Sequence, residues 1–96
     1  MKSNFDISVF VNAETEQSVL AELVKRERQR RKDLRLSQKE MAVRSGVSYA
    51  SIRRFEATGE ISLSSLLKIG SVMDCLSDFN GLFKNKIITN LKDYNA

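Results

Sequence analysis

Apolar positions change their period along the chain. In "FDISVFV" they fall at every second residue, Phe5, Ile7, Val9 and Val11, the alternation of a half-buried strand. From Ala13 to about Leu34 the spacing turns helical, with Val19, Leu20, Leu23 and Val24 in one stripe and Asn12 or Thr15 as the cap. Acidic residues occupy the first half of that segment and basic ones the second, the order that suits a helix dipole. Ser37, with Glu40 three residues on, reads as a capping box opening a second helix. That helix buries Met41 and Ala42 and stops at Gly46, which can take the left-handed conformation. Ser48 opens a third, "YASIRRFEAT", which buries Ile52 and Phe55 and ends at Gly59. In "ISLSSLLKIGSVMDCL" the residues Leu63, Leu66, Leu67, Ile69, Val72, Met73 and Leu76 form a broad apolar face, which predicts the most buried helix. A short fifth helix over 77–83 adds Phe79, Leu82 and Phe83.

The expected fold is all-α: a five-helix domain with an extended first helix and a short N-terminal strand. A lone strand leaves its edges unpaired, so it would pair with the tail "NKIITNL" or a second copy, or else be a frayed arm. The divisions are an arm over 1–12, a helical domain over 13–83 and a tail over 84–96. A chain of 96 residues supports one modest core and not two.

Composition narrows the function. Hydrophobic content of 42% with 29% charged residues is globular rather than disordered. No apolar run approaches the roughly 20 residues of a membrane helix, and the N-terminus lacks a signal-peptide pattern, so a cytoplasmic protein with no membrane partner is expected. There is no histidine, and one cysteine builds neither an intramolecular disulfide nor a thiolate metal site. Cys75 is expected to be a small buried hydrophobe. With no phosphate-cradling glycine loop and no Ser–His–Asp set, no catalysis, metal or cofactor is expected. The net charge of +4 is uneven: residues 1–24 carry −3, while "KRERQRRKDLR", 25–35, sets seven basic side chains against Glu27 and Asp33. Such a local field suits a polyanion, although a solvated helix face with internal ion pairs gives the same count.

Two short helices joined through a glycine turn are the signature of a helix-turn-helix. Val47 plugs the angle between them, and Ala42 is small enough for a close crossing. With Ile52 and Phe55 inward, Tyr49, Ala50, Arg53 and Arg54 fall on the outer side, a geometry that a major groove accepts.

The stretch "LSQKEMAVRSGVSYASIRRFEATGEISLSSLLKIGSVMD" resembles the phage-repressor and Cro type of helix-turn-helix domain, the Xre family. Leu36, Gln38, Met41, Ala42, Gly46, Val47, Ser48, Ile52, Glu56, Gly59 and the run from Ser62 carry the likeness, within a span of about Arg26 to Phe83. The resemblance implies a repressor or autoregulator that binds double-stranded DNA as a homodimer. It implies a phosphate contact at Gln38, with Ser37 and Lys39 beside it, and base reading at Tyr49, Ala50 and Arg54, with Arg53, Ser48 and Ser51 close by. Many relatives carry glutamines at the base-reading positions. The arginines here imply guanine readout and leave open whether Arg53 or Arg54 performs it. Arg31 and Glu56 match an ion pair that ties the first helix to the recognition helix. Arg28, Arg30 and Lys32 are then candidates for flanking phosphates, or simply solvated. The ending "CLSDFNGLF" also looks like HipB-like antitoxins, which bind HipA-type kinase toxins and repress their own operon. A protein-interaction module that has lost DNA binding is the third reading, and the exposed arginines count against it.

Overall fold

The computed structural model describes residues 13–87. The strand expected over Phe5 to Val11 and the tail from Ile88 onward lie outside the described residues. Among the described residues there are five helices: α1 Glu16–Asp33, α2 Gln38–Ser45, α3 Tyr49–Thr58, α4 Leu63–Val72 and α5 Leu76–Asn80. None is long and apolar enough to cross a membrane.

Hydroxyl caps fix four of the five starts. Thr15 and Ser18 cap each other's backbone N–H groups at 3.0 and 2.9 Å, so α1 begins three residues after Ala13. Ser37 accepts from the Glu40 N–H at 3.0 Å while the Glu40 carboxylate accepts from the Ser37 N–H at 2.8 Å. Ser48 and Ser62 accept from the N–H groups of Ser51 and Ser65, each at 3.1 Å. Each such cap is worth about 1 kcal/mol. The helix-turn-helix angle follows from the turn: Gly46 stands at φ 79, and Val47 drops into the core behind it.

Leu36, Met41, Val47, Ile52, Ile69 and Met73 form that core, with Ala42, Ile61, Val72 and Cys75 packed on its edge. Met41, Ile52 and Ile69 are fully buried. Cys75 is half-buried rather than buried, and its thiol donates to the Gly70 carbonyl at 3.5 Å. Helix α3, burying Ile52, Phe55 and Glu56, is more deeply held than α4, where only Ile69 and Gly70 are buried. The broad stripe of α4 packs against α2 and α5, with Leu63 exposed and Leu66 and Leu67 half-buried. Likewise Val19 and Leu23 of the α1 stripe stay about two-fifths exposed, because α1 lies against α3 through the neighbouring face, where Leu20 stands over Gly59 and Arg31 pairs with Glu56. The fifth helix starts at Leu76 and ends at Asn80, and Phe83, at φ 63 beyond it, is 99% exposed.

Gly59 ends α3 at φ 84, and a Cβ placed there would stand 2.6 Å from Leu20 Cγ. Gly46 has the same backbone need but open space around it. Gly46→Ala is therefore expected to cost about 1 kcal/mol for the left-handed backbone alone, and Gly59→Ala about 1–3 kcal/mol. Chemical denaturation of the two variants checks the order. Equal losses would show that Leu20 swings aside without cost.

Candidate nucleic-acid interface

The exposed face of α3 follows from its inward residues. Ile52, Phe55 and Glu56 are buried, and a turn of 3.6 residues then leaves Tyr49, Ala50, Arg53 and Arg54 in solvent. Gln38, the first residue of α2, sits half-buried beside them. An open depression of about 530 Å³ joins these elements, with Gln38, Ala50, Arg53, Arg54 and Arg28 on its walls and Glu56 at its base.

The floor of the depression is a charge cluster. Arg31 donates from Nε to Glu56 Oε2 and from Nη2 to Glu56 Oε1, both at 2.8 Å, and from Nη1 to the Leu36 carbonyl at 2.8 Å. Gln38 Nε2 donates to the same Oε1 at 3.0 Å, and the half-exposed Arg28 Nε stands 3.6 Å from it. Arg31 and Glu56, 25 positions apart, are thus brought together as one buried bidentate pair. Burial works to raise the Glu56 pKa, but hydrogen bonds from Arg31, Glu27 and Gln38 outweigh it and hold the carboxyl at about 2. The hydrogen bond to Glu56 also raises the Arg31 pKa.

Sequence reasoning missed Glu27. It is buried beside this pair, and when ionised neither of its oxygens has a hydrogen-bond donor. Burial, then a hydrogen bond to Glu56 and the charge of Glu56, push its pKa up to about 8. A proton on Glu27 makes both facts consistent, since the protonated carboxyl donates to Glu56. The signal was present: Leu20, Val24, Glu27 and Arg31 share one helical face, the face that meets α3.

The other basic residues divide between two flanks of α1. Lys25, Arg28 and Lys32 line an open groove of about 560 Å³ against Ala57, Thr58 and Gly59 at the end of α3. That groove meets the depression beside Gln38 at Arg28 and Ala57. Arg30 falls about 160–200° around the helix from Arg28 and Lys32, on the flank of Val19 and Leu23. Around α3 itself, Lys39 Nζ and Arg53 Cζ lie 5.4 and 5.5 Å from the centroid of the Tyr49 ring. Arg54 instead pairs with Glu60, beyond the end of the helix. Ser48 accepts from the Ser51 N–H and donates to the Ser51 hydroxyl at 2.8 Å, so of the two only Ser51 keeps a hydroxyl proton to give outward. Ser37 is committed to its capping box, and Lys39 stands exposed on the first turn of α2.

A short helix, a glycine turn, and a second helix whose outer face is basic define a helix-turn-helix DNA-binding fold. Comparison with known families agrees: the helix-turn-helix family model matches residues 28–78, and the chain belongs to that family, in its Xre type. It is a DNA-binding transcription regulator. No curated protein and no solved structure matches the chain significantly.

Proposed function

We propose that the chain is a sequence-specific repressor that reads the major groove with α3 and binds its operator as a dimer. The observation that carries this reading is the convergence of Arg53, Arg54, Gln38 and Arg28 around one depression whose buried carboxylate, Glu56, is already neutralised by Arg31. Tyr49, Ala50, Arg53 and Arg54 then form the groove-facing surface, and their differing surroundings divide base contacts from backbone contacts among them. Gln38, Lys39 and the Ser51 hydroxyl face phosphates at the front, and Arg28 and Lys32 face them at the side. Ser37 and Ser48 cap helices whose N-terminal amides point at the same backbone. Arg30, on the far flank of α1, is assigned to solvent.

Selection from a random DNA pool is expected to yield a two-fold symmetric motif with half-sites about 34–36 Å apart. Affinity should fall steeply between low and physiological salt, with Lys32→Ala reducing the slope by about 1 and weakening all sequences alike. Binding that ignores both salt and sequence, measured by anisotropy titration, would sink the reading.

An antitoxin role is the second reading, favoured by apolar surface that DNA does not require: Leu63, Leu76, Leu82, Phe83 and Ile87 are all exposed. In that case a kinase-fold protein encoded beside this chain co-purifies with it and tightens operator binding. Failure of the neighbouring gene product to bind removes the antitoxin role and leaves the repressor intact.

A further inference from the structure

The two adjacent arginines of α3 stand in different surroundings. Arg53 lies over the Tyr49 ring one turn earlier, where Lys39 from α2 also lies, at 5.5 and 5.4 Å from the centroid. A cation over an aromatic face keeps its full charge and leaves its N–H donors unspent. Arg54 hydrogen-bonds from Nη2 to the Glu60 carboxylate, so its charge is partly offset and part of its donor fork is used. Both members of that pair are about two-thirds exposed, so the pair itself is weak. The difference between the arginines is therefore one of net charge and available donors rather than of a large binding energy.

We infer that Tyr49 is a positioning residue that holds Arg53 ready for base readout, while Glu60 diverts Arg54 from that task. This rests on the reading of α3 as a recognition helix. An arginine side chain has many rotamers to lose, and a ring that narrows its range before DNA arrives reduces the ordering needed on binding. The same ring gathers Lys39, at the phosphate-facing start of α2, toward Arg53 at the centre of α3. Tyr49 thus links the element that sets register on the backbone to the one that reads the base. Its aromatic face is used within the protein, so its contribution to base preference passes through Arg53.

The test is selection from random DNA, followed by affinity for the selected site and for random duplex, with the full chain and exposed-surface variants. Arg53→Ala is expected to reduce the ratio of selected-site to random affinity at least fivefold and to flatten the preference for guanine at one position of each half-site. Arg54→Ala leaves the preferred bases unchanged. Tyr49→Phe, which keeps a ring face, behaves as the parent chain. Tyr49→Ala lowers the ratio about three- to tenfold at the same position as Arg53→Ala, and the double variant adds little to Arg53→Ala alone. Glu60→Gln releases Arg54, raises random-DNA affinity two- to threefold and steepens the salt slope by about 1. Loss of the guanine preference in Arg54→Ala but not in Arg53→Ala overturns the assignment. So does a Tyr49→Phe variant as defective as Tyr49→Ala, or an unchanged salt slope in Glu60→Gln. A parent chain that enriches no sequence overturns the inference together with the reading beneath it, whereas clear enrichment with exchanged arginine effects overturns the inference alone.

Discussion

Arg31→Met is expected to destabilise the domain by about 3–5 kcal/mol, a large share of the stability of a chain this size. Arg31 makes two hydrogen bonds to Glu56 and a third to the Leu36 carbonyl, all at 2.8 Å. Removing it strands a buried carboxylate beside a second buried carboxyl, Glu27, with only the Gln38 amide and the half-exposed Arg28 left to face it. It also frees the α1–α2 corner, because the Leu36 N–H already donates to the Arg31 carbonyl at 3.1 Å and the guanidinium closes that loop from the other side. The complementary deletion is milder. In Glu56→Gln the Arg31 charge loses its principal partner, but Glu27 ionises in its place and becomes the counterion, so about 1–3 kcal/mol is expected. Urea unfolding of both variants gives the comparison. A Glu56→Gln loss as large as that of Arg31→Met would mean that Glu27 cannot take up the charge.

That cluster also marks the boundary of what the sequence made legible. Helix limits depend on neighbours within one turn, so Ser37 with Glu40, Gly46, Ser48 and Gly59 could be read directly, and the structure places the second and third helices between them. Burial depends on which surface packs against a residue, and no local pattern states that. Val19 and Leu23 form as good a stripe as any in the chain, yet the neighbouring layer meets α1 through Glu27 and Arg31 instead. Glu27 itself sits in a run of arginines and lysines, where a solvated ion pair is the ordinary expectation. Its burial follows only once Arg31 is fixed to Glu56, because the residue one turn earlier must then face α3 as well. The partners on the outer face divide in the same way. Tyr49 and Arg53 are four apart on one helix and could have been paired from sequence. Glu60 meets Arg54 across the end of α3, where the Gly59 turn decides the approach.

Glu27→Gln is expected to stabilise the domain above neutral pH and to flatten its pH dependence. The Glu27 pKa is about 8 in the folded chain against 4.5 for an unperturbed glutamate, so between those values the folded state holds a proton that the unfolded state has released. Stability must then fall as pH rises through that window, with no penalty from this group below the lower value and its full penalty above the upper one. Glu56 acts in the opposite sense: its pKa of about 2 provides stability that is present above 4.5 and lost as pH falls toward 2. The two slopes meet near the ordinary carboxyl pKa, and from there toward pH 8 the parent chain loses stability. Each pKa unit corresponds to about 1.4 kcal/mol, and partial solvent access to a site this near the surface reduces the total to about 1–3 kcal/mol at pH 8. The side-chain amide introduced by Glu27→Gln cannot ionise and donates to Glu56 at every pH, which reproduces the bond that the protonated carboxyl makes. Thermal midpoints of the two proteins should therefore coincide near pH 4, below the lower value, and separate by roughly 4–15 °C at pH 8, the variant standing higher. Parallel curves across that range would show that Glu27 is ionised in the folded chain, and its carboxylate would then need a donor that the present geometry does not provide.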